Sequence, residues 1–113
     1  MDIYQGDIVW ISFPFTDGFR FKFRPALVLS KNSYNKTSDD LLLAYITSQK
    51  KSRYLISIEK SDIVEGDLPI QSYIRYDKIL LVEKSRIQGI IAIVTKDYYR
   101  HVISKIFEFI NLE

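Results

Sequence analysis

The 113-residue chain contains no cysteine and only one histidine, His101. Without a thiol there is no disulfide, no thiolate-held metal and no cysteine nucleophile. One imidazole leaves a histidine-based metal cluster or a histidine-dependent triad no spare parts. The 14 acidic residues show no ligand spacing of the EF-hand kind, so no metal or other cofactor is expected. Long apolar runs are also missing. Leu41–Ile46 and Ile90–Val94 fall far short of the roughly 20 residues that a membrane span requires. Met1-Asp2-Ile3-Tyr4-Gln5 carries neither the basic nor the apolar region of a signal peptide. A soluble, cytoplasmic protein without membrane contact is expected. There is no repeat, Ser/Gly-rich linker or low-complexity tract, which predicts one domain over residues 1–113.

The composition is that of a chain that folds, with 47% hydrophobic and 27% charged residues. Seven Phe, eight Tyr and one Trp supply a sizeable core. The net charge of +2 is compatible with a polyanionic partner without demanding one.

Hydrophobic patterning predicts short strands followed by a helix. Asp7–Phe13 is nearly continuous apolar, as a strand buried on both faces would be. Phe15–Phe23 follows, opened by Pro14 and broken by the turn residues Thr16-Asp17-Gly18. Arg24–Leu29 reads as a separate strand, with Pro25 tolerable only at its start or on an edge. Lys31–Asp40 reads as polar loop, Leu41–Thr47 and Tyr54–Ile58 as strands around the turn Gln49-Lys50-Lys51-Ser52, and Ser61–Pro69 as a loop or one helical turn. Ser72–Glu83 is a long strand candidate, and Gly89 precedes the short piece Ile90–Val94. In the last segment Tyr99, Val102, Ile103, Ile106 and Ile110 share one helical face, with Thr95 at the N-cap and Asp97 in the first turn. The expected class is mainly β with α: a small SH3-like barrel or curved antiparallel sheet, with a C-terminal helix packed on it.

In Phe19–Arg24, cations alternate with aromatics, and Phe15–Lys31 holds Arg20, Lys22, Arg24 and Lys31 against the single acid Asp17. Two readings fit. One is an amphipathic edge strand with Phe19, Phe21 and Phe23 inward and the cations in water. The other is a nucleic-acid contact, with Arg20 and Lys22 on phosphates and Phe19 and Phe21 stacked on unpaired bases.

Three stretches carry a resemblance. Gly6-Asp7-Ile8-Val9-Trp10, Phe13-Pro14-Phe15-Thr16-Asp17-Gly18 and Arg24-Pro25-Ala26-Leu27-Val28-Leu29-Ser30 resemble the opening of MazF/PemK toxins: a Gly-Asp strand, a mobile loop and an Arg-Pro-apolar strand. Ile46-Thr47-Ser48 is similar to the Thr-Ser pair that ends the family's third strand. Ser72-Tyr73-Ile74-Arg75-Tyr76-Asp77-Lys78-Ile79 with Lys84-Ser85-Arg86-Ile87 resembles its third landmark, and the order is collinear over essentially the whole chain.

The resemblance implies the CcdB/MazF-type fold and a metal-independent endoribonuclease that cuts single-stranded RNA. It further implies a homodimer with RNA in a groove across it, silenced by a cognate antitoxin whose acidic segment covers that groove. The family's essential Arg and Thr map to Arg24 and Thr47. Ser48 and Gln49 beside Thr47 would reach RNA, although Gln49-Lys50-Lys51 also fits a solvated turn. Asp77 and Lys78 map near the substrate groove, although an intrastrand charge pair explains them too. One departure is Phe19, which stands where family members often carry an acidic or small polar residue. The alternative is a non-enzymatic toxin that binds a protein target, as gyrase-binding CcdB-type relatives do; such a toxin would not need both Arg24 and Thr47. His101, mid-helix among Tyr99, Arg100 and Val102, reads as a surface or packing residue.

Overall fold

The computed structural model describes residues 1–14 and 18–113, with side chains from 1–12 and 18–113. The expected turn at Thr16-Asp17, the start of a strand at Phe15 and the apolar side chains of Phe13 and Phe15 lie outside the described residues. Seven strands form one antiparallel sheet: β1 (Asp7–Pro14), β2 (Phe21–Val28), β3 (Asp40–Thr47), β4 (Leu55–Ile58), β5 (Ile63–Gly66), β6 (Ser72–Glu83) and β7 (Ile87–Val94). Their order is β4-β6-β3-β2-β1-β7-β5, so β4 and β5 are its two edges. Two helices complete the fold, the short α1 (Asn32–Thr37) and the C-terminal α2 (Lys96–Ile110). The expected mainly-β class with a terminal helix is borne out, as a curved sheet.

Side chains alternate across a strand, so a sheet buried on both faces needs two cores. Ile8, Leu27, Ala44, Ile46 and Ile74 lie on one face, against Tyr98, Val102 and Ile106 of α2. Val9, Ile11, Ala26, Val28, Leu41 and Leu43 lie on the other, closed by Val82 and Ile87. The 12-residue β6 spans both, giving Ile74 to the first core and Val82 to the second. The curl that this requires is why β1 reads as apolar on both faces.

Buried Asp7 shapes the entry to β1. Its carboxylate accepts the Tyr4 backbone N–H at 2.8 Å, while burial pushes its pKa up against that bond. At the start of α2 the Thr95 hydroxyl accepts the Tyr98 N–H at 3.0 Å, the cap that the sequence predicts. The helix face differs from expectation. Tyr98, Val102 and Ile106 are buried, whereas Ile103 and Ile110 are exposed. Buried Tyr98 donates its hydroxyl to the Ser57 carbonyl at 3.0 Å, and half-buried Tyr99 donates to the Leu29 carbonyl at 2.6 Å.

Four expectations need correction. Residues 21–28 form one strand that runs through Pro25, rather than a strand beginning at Arg24. The polar stretch 31–40 holds α1, anchored by buried Asn35, whose Nδ2 donates to the Ser30 carbonyl at 2.9 Å. Residues 61–69 contain the helical turn Lys60–Asp62 as foreseen, but also β5, which pairs with β7. That pairing is so close at Gly66 that a Cβ there would fall 2.2 Å from the Ile91 carbonyl oxygen. Finally, β7 begins at Ile87 and passes straight through Gly89. Among the described residues, no helix is long and apolar enough to cross a membrane.

Candidate functional site

β2 pairs with β3 as Ala26↔Tyr45, Leu27↔Ala44 and Val28↔Leu43. Continuing that register by two places sets Arg24 opposite Thr47, and directly opposed residues present side chains to the same face. The pairing stops short of them for a chemical reason. Leu29 donates its N–H to the Leu42 carbonyl on the β3 side, and the Val28 carbonyl accepts from Gly6 on the β1 side. With a period of two, residues 29, 27 and 25 are therefore the ones that face β3. Residue 25 is proline and has no N–H to give. The β3 ladder ends there, while β2 stays paired with β1 through Trp10↔Pro25, Ile11↔Arg24 and on to Pro14↔Phe21. From Phe21 to Pro25, β2 is thus an edge on its β3 side, which is how Pro25 is accommodated.

Where the strands part, a cleft of about 160 Å³ opens, lined by Arg24, Thr47 and Ser48 together with Trp10, Phe23, Pro25 and Leu68. The Thr47 oxygen accepts the Gln49 N–H at 3.1 Å, a bond that does not use the hydroxyl's own proton.

Thr47 also lines a second, larger cleft of about 430 Å³ with Gln49, Lys51, Ser52, Arg53, Tyr54, Arg75 and Asp77. This cleft exists because β6 carries extra residues at its middle. β3 pairs Ala44↔Ile79 and then Ile46↔Ile74, so residues 75–78 face only Tyr45. The displaced segment turns to β4, where Tyr76 N–H reaches the Tyr54 carbonyl at 3.2 Å. Arg75 grips Asp77 with both arms, Nε to Oδ1 at 3.1 Å and Nη2 to Oδ2 at 2.7 Å. Those side-chain hydrogen bonds hold the Asp77 carboxyl below its ordinary pKa.

The intrastrand charge pair offered as one reading of Asp77 and Lys78 is only a through-space effect of the Lys78 charge on Asp77, and the direct ion pair is made by Arg75. Asp77 pairs with Arg75, and Lys78 Nζ stands 5.0 Å from the Tyr45 ring centroid. Neighbouring strand residues point to opposite faces, whereas i and i+2 share one, so the alternation Arg75-Tyr76-Asp77 was the available signal for this pair.

The aromatic–cation segment is an edge from Phe21 to Pro25, as the edge-strand reading has it, but its Phe side chains do not turn inward. Phe19, Phe21 and Phe23 are 90%, 60% and 54% exposed, and Arg20, Lys22 and Arg24 are exposed as well. Among the described strands β1 alone pairs with β2 from Phe21 to Arg24. Arg20, Lys22 and Phe21 are not among the residues lining either cleft, whereas Arg24, Thr47 and Ser48 share the smaller and Thr47, Gln49 and Asp77 share the larger. His101 is exposed on α2, away from both. Among the described residues, no group of three or more His, Asp or Glu could hold a metal ion.

No curated protein matches the sequence. Several solved structures share the fold. A MazE–MazF structure from Deinococcus radiodurans superposes with a TM-score of 0.82 at 21% identity, covering 100% of this chain and 99% of that one. A mycobacterial endoribonuclease gives 0.77 at 16% identity, over 99% and 94% of the two chains. A mycobacterial endoribonuclease in complex with its cognate antitoxin gives 0.76 at 17%, over 98% and 97%. A family model of PemK-like, MazF-like toxins matches residues 4–110, which bears out the resemblance carried by the three motifs. The chain belongs to the PemK-like, MazF-like toxins of type II toxin–antitoxin systems.

Proposed function

We propose that this toxin is a metal-independent endoribonuclease that cleaves single-stranded RNA, with Arg24 and Thr47 as its catalytic residues. The observation that supports the reading is the cleft that Arg24 and Thr47 both line, beyond the end of the β2–β3 ladder. RNA brings its own nucleophile, the 2′-OH, so the protein has to align that group with the scissile P–O bond and stabilise charge that builds on the phosphoryl oxygens. A planar guanidinium grips those oxygens bidentately, and the Thr47 hydroxyl adds a further donor. The products are a 2′,3′-cyclic phosphate and a free 5′-OH. Arginine has a pKa above about 12, so Arg24 acts as an electrostatic clamp before it acts in proton transfer.

Exposed Phe19 and Phe21 offer stacking faces to unpaired bases, and Arg20 and Lys22 offer charge to phosphates. Ser48, Gln49, Asp77 and Lys78 complete the RNA contacts. Phe107, Ile110 and Leu112, exposed on and beyond the end of α2, support a homodimer. The Deinococcus and mycobacterial structures solved with antitoxins support a cognate antitoxin as the partner, and we assign both to the cytoplasm.

Cleavage of a single-stranded RNA by purified protein tests the assignment. Arg24→Ala and Thr47→Ala should each lose about 10²–10³-fold in rate, the loss typical of removing one transition-state donor, with an unchanged melting temperature. Full activity in both folded variants would sink the site.

A further inference from the structure

Lys84-Ser85-Arg86-Ile87 is a landmark that the Arg24–Thr47 cleft leaves unused. Arg86 closes the helical turn Lys84–Arg86 just before β7. The next residue, Ile87, pairs with Ile11, and Ile11 pairs with Arg24, so three adjacent strands carry Arg86 and Arg24 to the same end of the sheet. On the other side of β2, Tyr45 pairs with Ala26 and lies on the face that Arg24 and Thr47 share. Lys78 reaches the same tyrosine from β6, its Nζ 5.0 Å from the ring centroid. Three cations drawn from separate strands and a turn thus converge on one half-buried phenol.

Two further observations bear on what belongs there. Among the described residues no ion pair involves Arg24, Lys78 or Arg86; Asp77, which is ion-paired with Arg75, also feels the Lys78 charge. Like charges gathered with no ion-paired acid of their own favour an anion, and Lys78 adds to Arg24 and Arg86 the charge that Asp77, shared with Arg75, does not offset. Burial holds the Tyr45 phenol above its ordinary pKa, outweighing the opposing pull of the Arg86 and Arg24 charges. At neutral pH the hydroxyl therefore keeps its proton and is a hydrogen-bond donor.

We propose that Arg86, Lys78 and the Tyr45 hydroxyl form a second phosphate-binding subsite, which holds an RNA backbone phosphate neighbouring the one gripped by Arg24. The inference rests on the ribonuclease reading and deepens it. The ligand class is a phosphodiester: Arg86 offers a planar fork, Lys78 a point charge and Tyr45 a neutral donor. Contacts of this kind fix the register of a strand and carry no base information. With two neighbouring phosphates anchored, the sugar at the cut is held in a defined orientation, which is what alignment of its 2′-OH requires.

The test is binding of the full-length protein to a single-stranded oligonucleotide with 2′-methoxy groups in place of 2′-OH, which cannot be cleaved, followed by fluorescence anisotropy across a salt series. Each phosphate contact adds about 0.7 to the slope of log affinity against log salt for a single strand. Arg86→Ala and Lys78→Ala should each lower that slope by about 0.7 and weaken binding, and Arg86→Lys should recover it. Tyr45→Phe should weaken binding at an unchanged slope, because it removes a donor and no charge. Lys96→Ala, at the start of α2, should match the wild type.

A wild-type slope in Arg86→Ala, with a reduced one in Arg24→Ala, would overturn the subsite and leave the ribonuclease reading standing. If Arg86→Ala kept its RNA affinity and lost only affinity for an acidic peptide of the antitoxin, the subsite would belong to the protein partner, and the proposal would again be overturned. A wild-type protein that neither binds nor cuts single-stranded RNA would remove both readings together.

Discussion

Pro25→Ala gives residue 25 the backbone N–H that the β2–β3 ladder lacks. The odd-numbered residues of β2 face β3, as the 2.8 Å bond from Leu29 to the Leu42 carbonyl shows, so the new N–H would meet the Ile46 carbonyl. One added hydrogen bond is worth about 0.5–1.5 kcal/mol net, which sets an equilibrium of about 2 to 13 in favour of zipped strands. Only about 30% to 7% of molecules would then keep the cleft between Arg24 and Thr47 open, and kcat/KM should fall by about 3- to 14-fold. Proline also restricts the unfolded chain, and its loss costs about 0.4–1 kcal/mol, so the two effects largely offset in overall stability. The assay combines RNA cleavage, a thermal melt and hydrogen exchange at the amide of residue 25. Protection of that amide in a variant that cleaves at the wild-type rate would refute the claim that strand separation at Pro25 creates the site.

Other perturbations address the scaffold and the assembly. Tyr98→Phe takes the donor from the Ser57 carbonyl at a buried position and should cost about 1–2 kcal/mol; an unchanged melting temperature would contradict the role given to this hydroxyl. The Arg75–Asp77 pair has a defined pH dependence. Because Arg75 depresses the Asp77 pKa, the pair's stabilisation is present above the unfolded value of about 3.9 and is lost as pH falls through the lower folded value. Both groups are partly exposed, so Asp77→Asn should cost about 0.2–1 kcal/mol at neutral pH and nothing in strong acid; a pH-independent difference would exclude the ion pair as its cause. The apolar end of α2 predicts a dimer that Phe107→Asp weakens, and sedimentation showing a wild-type monomer at micromolar concentration would contradict it.

What was legible in the sequence is what is encoded locally. β1, β3 and β6 announce themselves as apolar runs, and α2 announces itself through its 3.6-residue period and the Thr95 cap. Arg24 and Thr47 come from motif resemblance, and the structure shows both lining one cleft beyond the end of the β2–β3 ladder. The features missed depend on partners far along the chain. β5 is four residues long with one half-buried apolar side chain, and it is a strand only because Gly66 permits close approach to β7. β2 looked like two strands because Pro25 breaks a ladder on one side while the other side, toward β1, continues. Arg75 was passed over because β6 reads as a continuous strand, and its extra residues are visible only against the register of β3. On α2, Val102 and Ile106 are buried as the period predicts, but Tyr98 rather than Ile103 and Ile110 completes the inward face, while half-buried Tyr99 donates its hydroxyl to the Leu29 carbonyl at 2.6 Å.

The central claim is that Arg24 and Thr47 direct the RNA's own 2′-OH onto the neighbouring phosphate. The measurement that meets it most directly is the chemistry of the fragment ends after cleavage in EDTA. The account predicts a 2′,3′-cyclic phosphate on one fragment and a 5′-OH on the other, with no cut at a position whose 2′-OH has been replaced by hydrogen. Fragments that carry a 5′-phosphate, or equal cleavage at the deoxy position, would contradict it.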